Sequence, residues 1–203
     1  MEQIVVPSYN LIVQESIQKY WDCDSMSDYG LFTFKYKDVA EIIEKFHILY
    51  AELGIKKGDK IALCGRNLSR WGAAFFSVIT YGAVAVPILH EFHPSQVHDI
   101  VNHSESRLLL VGDKVWPGLT ATEMPDLEGI ISLADYSVLS SNTEKFAQAY
   151  AAVNTIYARK YPNGIQPSDL HYHKDEAEEL AIINFISINN FFDIFWIIII
   201  INK

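Results

Sequence analysis

The sequence predicts an α/β fold built on a mainly parallel, helix-flanked sheet. From Leu31 onward, short apolar runs alternate with segments of helical periodicity. The runs are too short and too β-branched to be helices, and glycine or aspartate turns separate them. Three strand-helix units in succession then require parallel pairing with right-handed crossovers.

Taken in order, Phe32 to Val39 reads as an aromatic strand entering a helix. Asp38 followed by Glu41 makes a capping box, and Val39, Ile42, Ile43, Phe46, Leu49, Tyr50 and Leu53 recur at helical spacing until Gly54. Gly58-Asp59 turns the chain into Ile61 to Cys64, a run typical of a buried strand. Ser69 is positioned to cap a second helix from Trp71 through Ile79, apolar on most sides and ended by Gly82. Val84 to Val86 gives the next strand, closed by Pro87. Ser95 opens a helix carrying Val97, Ile100 and Val101, Arg107 to Val111 is a strand, and Leu127 to Leu133 adds another. Ser141 with Glu144 offers a second capping box for a helix through Tyr157 that stops before Pro162, and Ala181 to Phe185 is the last core strand.

Composition narrows the function. The chain has 203 residues, half of them apolar, and a net charge of -9 without any Lys/Arg-rich run. A nucleic-acid surface needs the opposite charge balance. Two cysteines, Cys23 and Cys64, stand far apart in unlike contexts, and residues 1 to 9 lack a basic start, an apolar stretch and a cleavage site, so a reduced cytoplasmic setting is expected. His90, His93, His98 and His103 crowd one stretch, with His171 and His173 further on. Their spacing does not match a helical metal pair, and a solvated loop and helix face is the expectation, with no metal site. Asp22, Asp24 and Asp28 lack the glycine and terminal glutamate of a calcium loop, so they read as a solvated loop. Glu176, Glu178 and Glu179 read as a solvated turn, and Phe75, Phe76 and Tyr81 as core.

Three segments, in this order, resemble the opening motifs of the adenylate-forming (AMP-binding) acyl-CoA synthetases. They are Phe32 to Val39; Gly65-Arg66-Asn67-Leu68-Ser69-Arg70-Trp71 with Ile79 to Ile88; and Asp175 to Phe185. The Asn67 and Trp71 pairing is most similar to that of the long-chain fatty acid members. The resemblance covers roughly residues 8 to 185 and divides the chain into an N-terminal extension (1–30), a partial AMP-binding domain (31–187) and an aberrant apolar tail (188–203). It implies a two-step reaction: a carboxylate, a fatty acid foremost, and ATP give an acyl-adenylate and pyrophosphate, and the thiol of coenzyme A then displaces AMP. ATP, Mg²⁺ and coenzyme A are the implied cofactors.

In that family the strand matching Phe185 runs into a Thr/Ser/Gly-rich loop whose backbone N–H groups wrap the ATP phosphates. Here Ile186-Ser187-Ile188-Asn189-Asn190-Phe191 comes next, and Ser187 alone matches as a phosphate contact. No catalytic residue carries over, so the chain as it stands is expected to be inactive. The tail runs to Trp196 and five isoleucines, Ile197 to Ile201. Its apolar part is too short for a membrane span, and bulky β-branched residues cannot replace a glycine-rich loop. A frameshift, an assembly error or a truncated gene is the preferred account of it, and self-association through it is expected. Two other readings stay open: a non-catalytic α/β interaction module with an apolar tail, and an enzyme that adenylates amino or aromatic acids.

Overall fold

The computed structural model describes residues 8–176, 178–187 and 196–202. The start (residues 1–7), part of the apolar tail (188–195 and 203) and Ala177 lie outside these described residues. Five α-helices are described: α1 (Tyr9–Lys19), α2 (Tyr36–Leu53), α3 (Ser69–Tyr81), α4 (Pro94–His103) and α5 (Glu144–Lys160). The nine described strands are β1 (Asp24–Asp28), β2 (Phe32–Lys35), β3 (Lys60–Cys64), β4 (Val84–Ile88), β5 (Leu108–Val111), β6 (Gly129–Ser132), β7 (Val138–Ser141), β8 (Leu180–Ser187) and β9 (Trp196–Asn202).

β1 and β2 form an antiparallel hairpin, and the other seven form one sheet in the order β7-β6-β5-β3-β4-β8-β9. The five central strands are parallel; β7 and β9 join the edges antiparallel. This is the mainly parallel, helix-flanked sheet the sequence predicts.

Strand residues point alternately to the two faces. Ile61, Leu63, Leu108, Leu110 and Ile131 enter a core under α2, α3 and α5, beside Leu49, Tyr50, Val78 and Phe146. Ala62, Cys64, Leu109, Val111 and Ile130 enter a second core with Val97, Ile100 and Val101 of α4. Coverage on both faces is why these strands are continuous apolar runs. Gly129 serves α5: an added Cβ there would stand 2.4 Å from the fully buried Phe146 ring.

The helix starts differ from the sequence reading, because the capping atoms come from elsewhere. α2 begins at Tyr36, and Asp38 sits in its first turn, accepting the Lys35 N–H at 2.8 Å. Ser69 is the first residue of α3 rather than its cap. Its N–H and hydroxyl both donate to Asp28 Oδ1 at 2.7 Å, so a hairpin carboxylate caps the helix. α4 is capped by His93 with Pro94 in first position, not by Ser95, and α5 by the Thr143 hydroxyl, not by Ser141. At the other end, α2 and α3 close on Gly54 and Gly82, both left-handed.

Residues 9–28 share a core with elements later in the chain: Ile17 of α1 packs with Val39, Ala40 and Ile43 of α2 and with Leu170 and Tyr172. The N-terminus of α1 is capped from a distance, since Ser8 Oγ and the N–H groups of Tyr9 and Asn10 all donate to Asp175. Asn10, fully buried, donates to the Ile79 and His173 carbonyls.

Between α2, α3 and α5 lies a polar chain built around the buried Glu44. Tyr161 and Lys160 donate to Glu44, and His47 Nε2 lies 3.1 Å from both the Ser77 carbonyl and the Thr80 hydroxyl. Burial pulls His47 down to about 4 against the opposing pull of Glu44.

Candidate functional site

The chain reverses its direction across the sheet at β3. From β3 it passes through α3 to β4 on one side; from β4 it returns through α4, on the opposite face, to β5 on the other side. From β5 it continues outward to β6. The connections leaving the carboxyl ends of β3 and β5 therefore diverge, and the space between them is where open α/β sheets hold their ligands.

A crevice of about 200 Å³ occupies that place. Its walls come from Gly65 and Arg66 after β3, Gly112 to Val115 after β5, and Leu133 and Ala134 after β6. Leu68, Arg70 and Trp71 of the α3 entrance, His90 after β4, and Asp28, Leu31 and Phe32 of the hairpin complete it. The two glycines allow the strand ends to come close: a Cβ on Gly65 would lie 2.9 Å from Leu133 Cδ1 and 3.4 Å from the Gly112 nitrogen.

Three cations line the crevice, Arg66, Arg70 and Lys114, against Asp28 and Asp113. Asp28 is 8% exposed and occupied in capping α3, which leaves the balance basic in a chain of net charge -9. The Arg70 guanidinium stands 4.5 Å over the Phe32 ring and 5.9 Å from that of Phe34. Trp71 stacks on Phe75 at 5.4 Å, and its indole N–H is buried without a partner among the described residues. Exposed apolar side chains, Leu31 and Leu68, form part of the rim. The arrangement suits an anionic group carried on an apolar or planar body.

Ser187, the phosphate contact read from the sequence, lies elsewhere. It closes β8, opposite Trp196 of β9, two strands from β3. Phe185, Ile186 and Ser187 all hold ladder positions opposite β9. A strand committed on this side to a neighbour is not a loop of free N–H groups wrapped around phosphates. ATP phosphates do not fit this stretch as it stands, and no phosphate step is assigned to it.

The remaining candidates disperse into structural roles. His93 caps α4, His98 Nε2 accepts the Thr120 N–H at 3.1 Å, and His103 meets the Phe185 ring edge to face. His90 pairs with Glu91 at 3.2 Å and His173 with Glu179 at 2.7 Å. Among the described residues no group of three His, Cys, Asp or Glu side chains is placed to hold a metal. Two expectations of solvated loops need correction. Asp24 and Asp28 belong to strand β1, with Asp28 buried, and Glu179 is held between Lys57 and His173. Cys64 is buried, and burial pushes its thiol up to about 12, which removes it as a nucleophile.

Arg66, Arg70, Asp113 and Lys114 do not stand out in the sequence as a site. The signal is there in part: each strand run, Ile61 to Cys64 and Leu108 to Val111, leads into glycine and then a charged residue.

Known proteins resemble this chain in sequence and in fold. The model of a family described as AMP-binding enzyme matches residues 13–186. A crotonobetaine/carnitine–CoA ligase of Proteus mirabilis is 32% identical over 84 residues, which are 41% of this chain and 16% of that protein. Among solved structures, an anthranilate CoA ligase in complex with anthranoyl-AMP superposes with a TM-score of 0.70 at 17% identity, over 92% of this chain and 34% of that one. A long-chain-fatty-acid–CoA ligase from Archaeoglobus fulgidus gives 0.63 at 16% identity, over 90% and 36%. The chain thus spans about a third of the length of these solved structures.

Proposed function

We propose, from the premise that this chain belongs to the AMP-binding enzyme family, that it forms the first part of a carboxylate-activating acyl-CoA ligase. Such a ligase joins a carboxylic acid to the AMP of ATP with release of pyrophosphate, Mg²⁺ neutralising the phosphates, and then passes the acyl group to coenzyme A with release of AMP. A fatty acid is the substrate we favour, on the Asn67 and Trp71 pairing. The observation that carries the reading is the basic crevice at the carboxyl ends of β3, β5 and β6. Preorganised cations at such a place stabilise charge that a carboxylate or phosphate brings with it.

Within that reading, Ser187 is a phosphate contact only where a glycine-rich loop succeeds β8. The sequence Ile186 to Phe191 offers none, so the 203-residue chain makes no acyl-adenylate by itself. Losing one preorganised donor already costs about 2.7–4 kcal/mol in an oxyanion site, and a missing loop removes several. The cytoplasm is the setting we assign; among the described residues no helix is long and apolar enough to cross a membrane. Copies associate through the edge strand Trp196–Asn202, which has one strand neighbour among the described residues.

Two measurements test the proposal. Incubated with ATP, labelled pyrophosphate and palmitate, the chain should exchange no label above a no-enzyme control; exchange would overturn the inactivity. A chain whose residues after Phe185 are replaced by the corresponding remainder of an active relative should release pyrophosphate with palmitate. Release with none of a panel of fatty, aromatic and amino acids would overturn the function, and a preference for aromatic acids would overturn the substrate.

A further inference from the structure

A second cavity lies outside the crevice, in the groove between α2 and α5, with a volume of about 510 Å³. That is within the range of small-molecule sites, roughly 300–1,000 Å³. Phe34, Phe46, Tyr136 and Tyr150 supply aromatic surface to its lining. Asp38, Glu41 and Asp135 supply three carboxylates, against one cation, Lys45. Lys45 pairs with Glu41 at 2.8 Å and stands 5.1 Å from the Tyr157 ring centroid, which leaves the lining an excess of two negative charges. An aromatic lining with excess negative charge attracts a cation that is weakly hydrated and carries an apolar body.

Tyr136 is fixed firmly in the same wall. Tyr136 has φ of +62°, a left-handed conformation that a bulky residue rarely adopts. Hydrogen bonds from three directions keep it there. Its hydroxyl donates to the Arg70 carbonyl at 2.8 Å, its carbonyl accepts the Tyr150 hydroxyl at 2.7 Å, and its N–H donates to the Ser132 carbonyl at 2.9 Å. Tyr136 lies in the turn between β6 and the antiparallel β7, and these bonds fix its ring as one wall of the groove. The neighbouring Asp135 is held below the usual carboxylate range by the Ser137 hydroxyl and N–H. It therefore stays charged throughout the neutral range.

We propose that this groove binds a small organic ammonium ion with an aromatic or alkyl body, seated on the surface of Phe34, Phe46, Tyr136 and Tyr150 and balanced by Asp38, Glu41 and Asp135. The site is separate from the crevice and does not depend on the catalytic reading.

The test is a titration of the 203-residue chain, monitored by amide NMR, with 4-phenylbutyl-trimethylammonium, the neutral 4-phenylbutanol and the anion 4-phenylbutanoate. The cation should bind at least ten times more tightly than the alcohol, with shifts confined to residues around Glu41, Lys45, Asp135 and Asn154. The anion should leave these residues unmoved. Glu41→Gln with Asp135→Asn keeps both hydrogen-bonding shapes and should weaken the cation about tenfold while leaving the alcohol unchanged. Asn154→Trp, at an exposed lining position, should fill the groove and abolish binding. Equal affinity for cation and alcohol, shifts centred on Arg66 and Lys114 instead, binding indifferent to either variant, or no shifts at millimolar cation would each overturn the proposal. Thermal melts of the variants establish that they remain folded.

Discussion

Replacing Gly129 with alanine tests how α5 is seated on the sheet. Gly129 does not have a positive φ, so the backbone itself would accept alanine, and a compatible Gly→Ala change stabilises by about 0.4–1 kcal/mol through the unfolded state. The obstacle is contact. The new Cβ would meet Phe146 Cε2 and Cζ at 2.4 Å, where ordinary contact begins at 3.4 Å, so the ring must retreat by about 1 Å. It has little room, being fully buried and stacked on Tyr150 with centroids 6.2 Å apart. The Phe146 N–H is also tied to the Thr143 cap at 3.1 Å, so moving the ring disturbs the helix start. Overpacking of this kind costs about 1–3 kcal/mol, and with the favourable backbone contribution set against its upper end, a net loss of about 2 kcal/mol remains. For a chain of this size that lowers Tm by about 4–8 °C. Thermal unfolding by circular dichroism measures it, and Phe146→Leu in the same chain should recover about 1 kcal/mol through a favourable coupling between the two sites. A Gly129→Ala protein melting within a degree of the parent, or two changes that simply add, would refute the close-approach argument.

Two further outcomes are expected from the structure. Asp28→Ala removes the remote cap of α3 and should lower stability by about 1 kcal/mol in urea titration, with Asp28→Asn, which keeps an acceptor, losing less; an unchanged midpoint for the alanine variant counts against the cap. His47, held near 4 by burial, stays neutral in the folded state while the unfolded chain takes up a proton near 6.5. Stability should therefore fall as pH drops from about 6.5 towards 4, by about 2 kcal/mol between pH 7 and 5, and His47→Gln should lose that component; parallel pH profiles for the two proteins would exclude it.

The central strands and the bodies of α2 to α5 were legible because burial on both sheet faces demands what the sequence displays: short β-branched runs and helices with a wide apolar stripe. Helix starts were less legible. Ser69 has the chemistry of a cap, yet Asp28, 41 residues away, takes that role, and no local pattern reveals a donor's distant partner. β7 has no clear sequence signal because Val138 to Ser141 is half polar and at most partly buried at the sheet edge. The crevice could not be read at all before the strand order was known. Its lining comes from the hairpin, three strand ends, the α3 entrance and the loop after β4, and only the placement of β3 between β4 and β5 brings Arg66 and Lys114 to one opening. The glycine-plus-charge pattern after each strand hints at such residues without saying that they meet.

The cap of α1 has a consequence for the living cell's order of assembly. Ser8 and Asp175 are 167 positions apart, so as the chain leaves the ribosome α1 waits for nearly the last described loop before the Tyr9 and Asn10 amides find their acceptor. At about 5–20 residues per second the interval is roughly ten to thirty seconds. An 11-residue helix is marginal alone in water, so during that time α1 is a fluctuating segment and Ile17 has no settled partner. α1 is thus finished long after it is made, and a nascent chain stalled before residue 175 would present this segment, together with the β4 edge that β8 later covers, to chaperones and proteases.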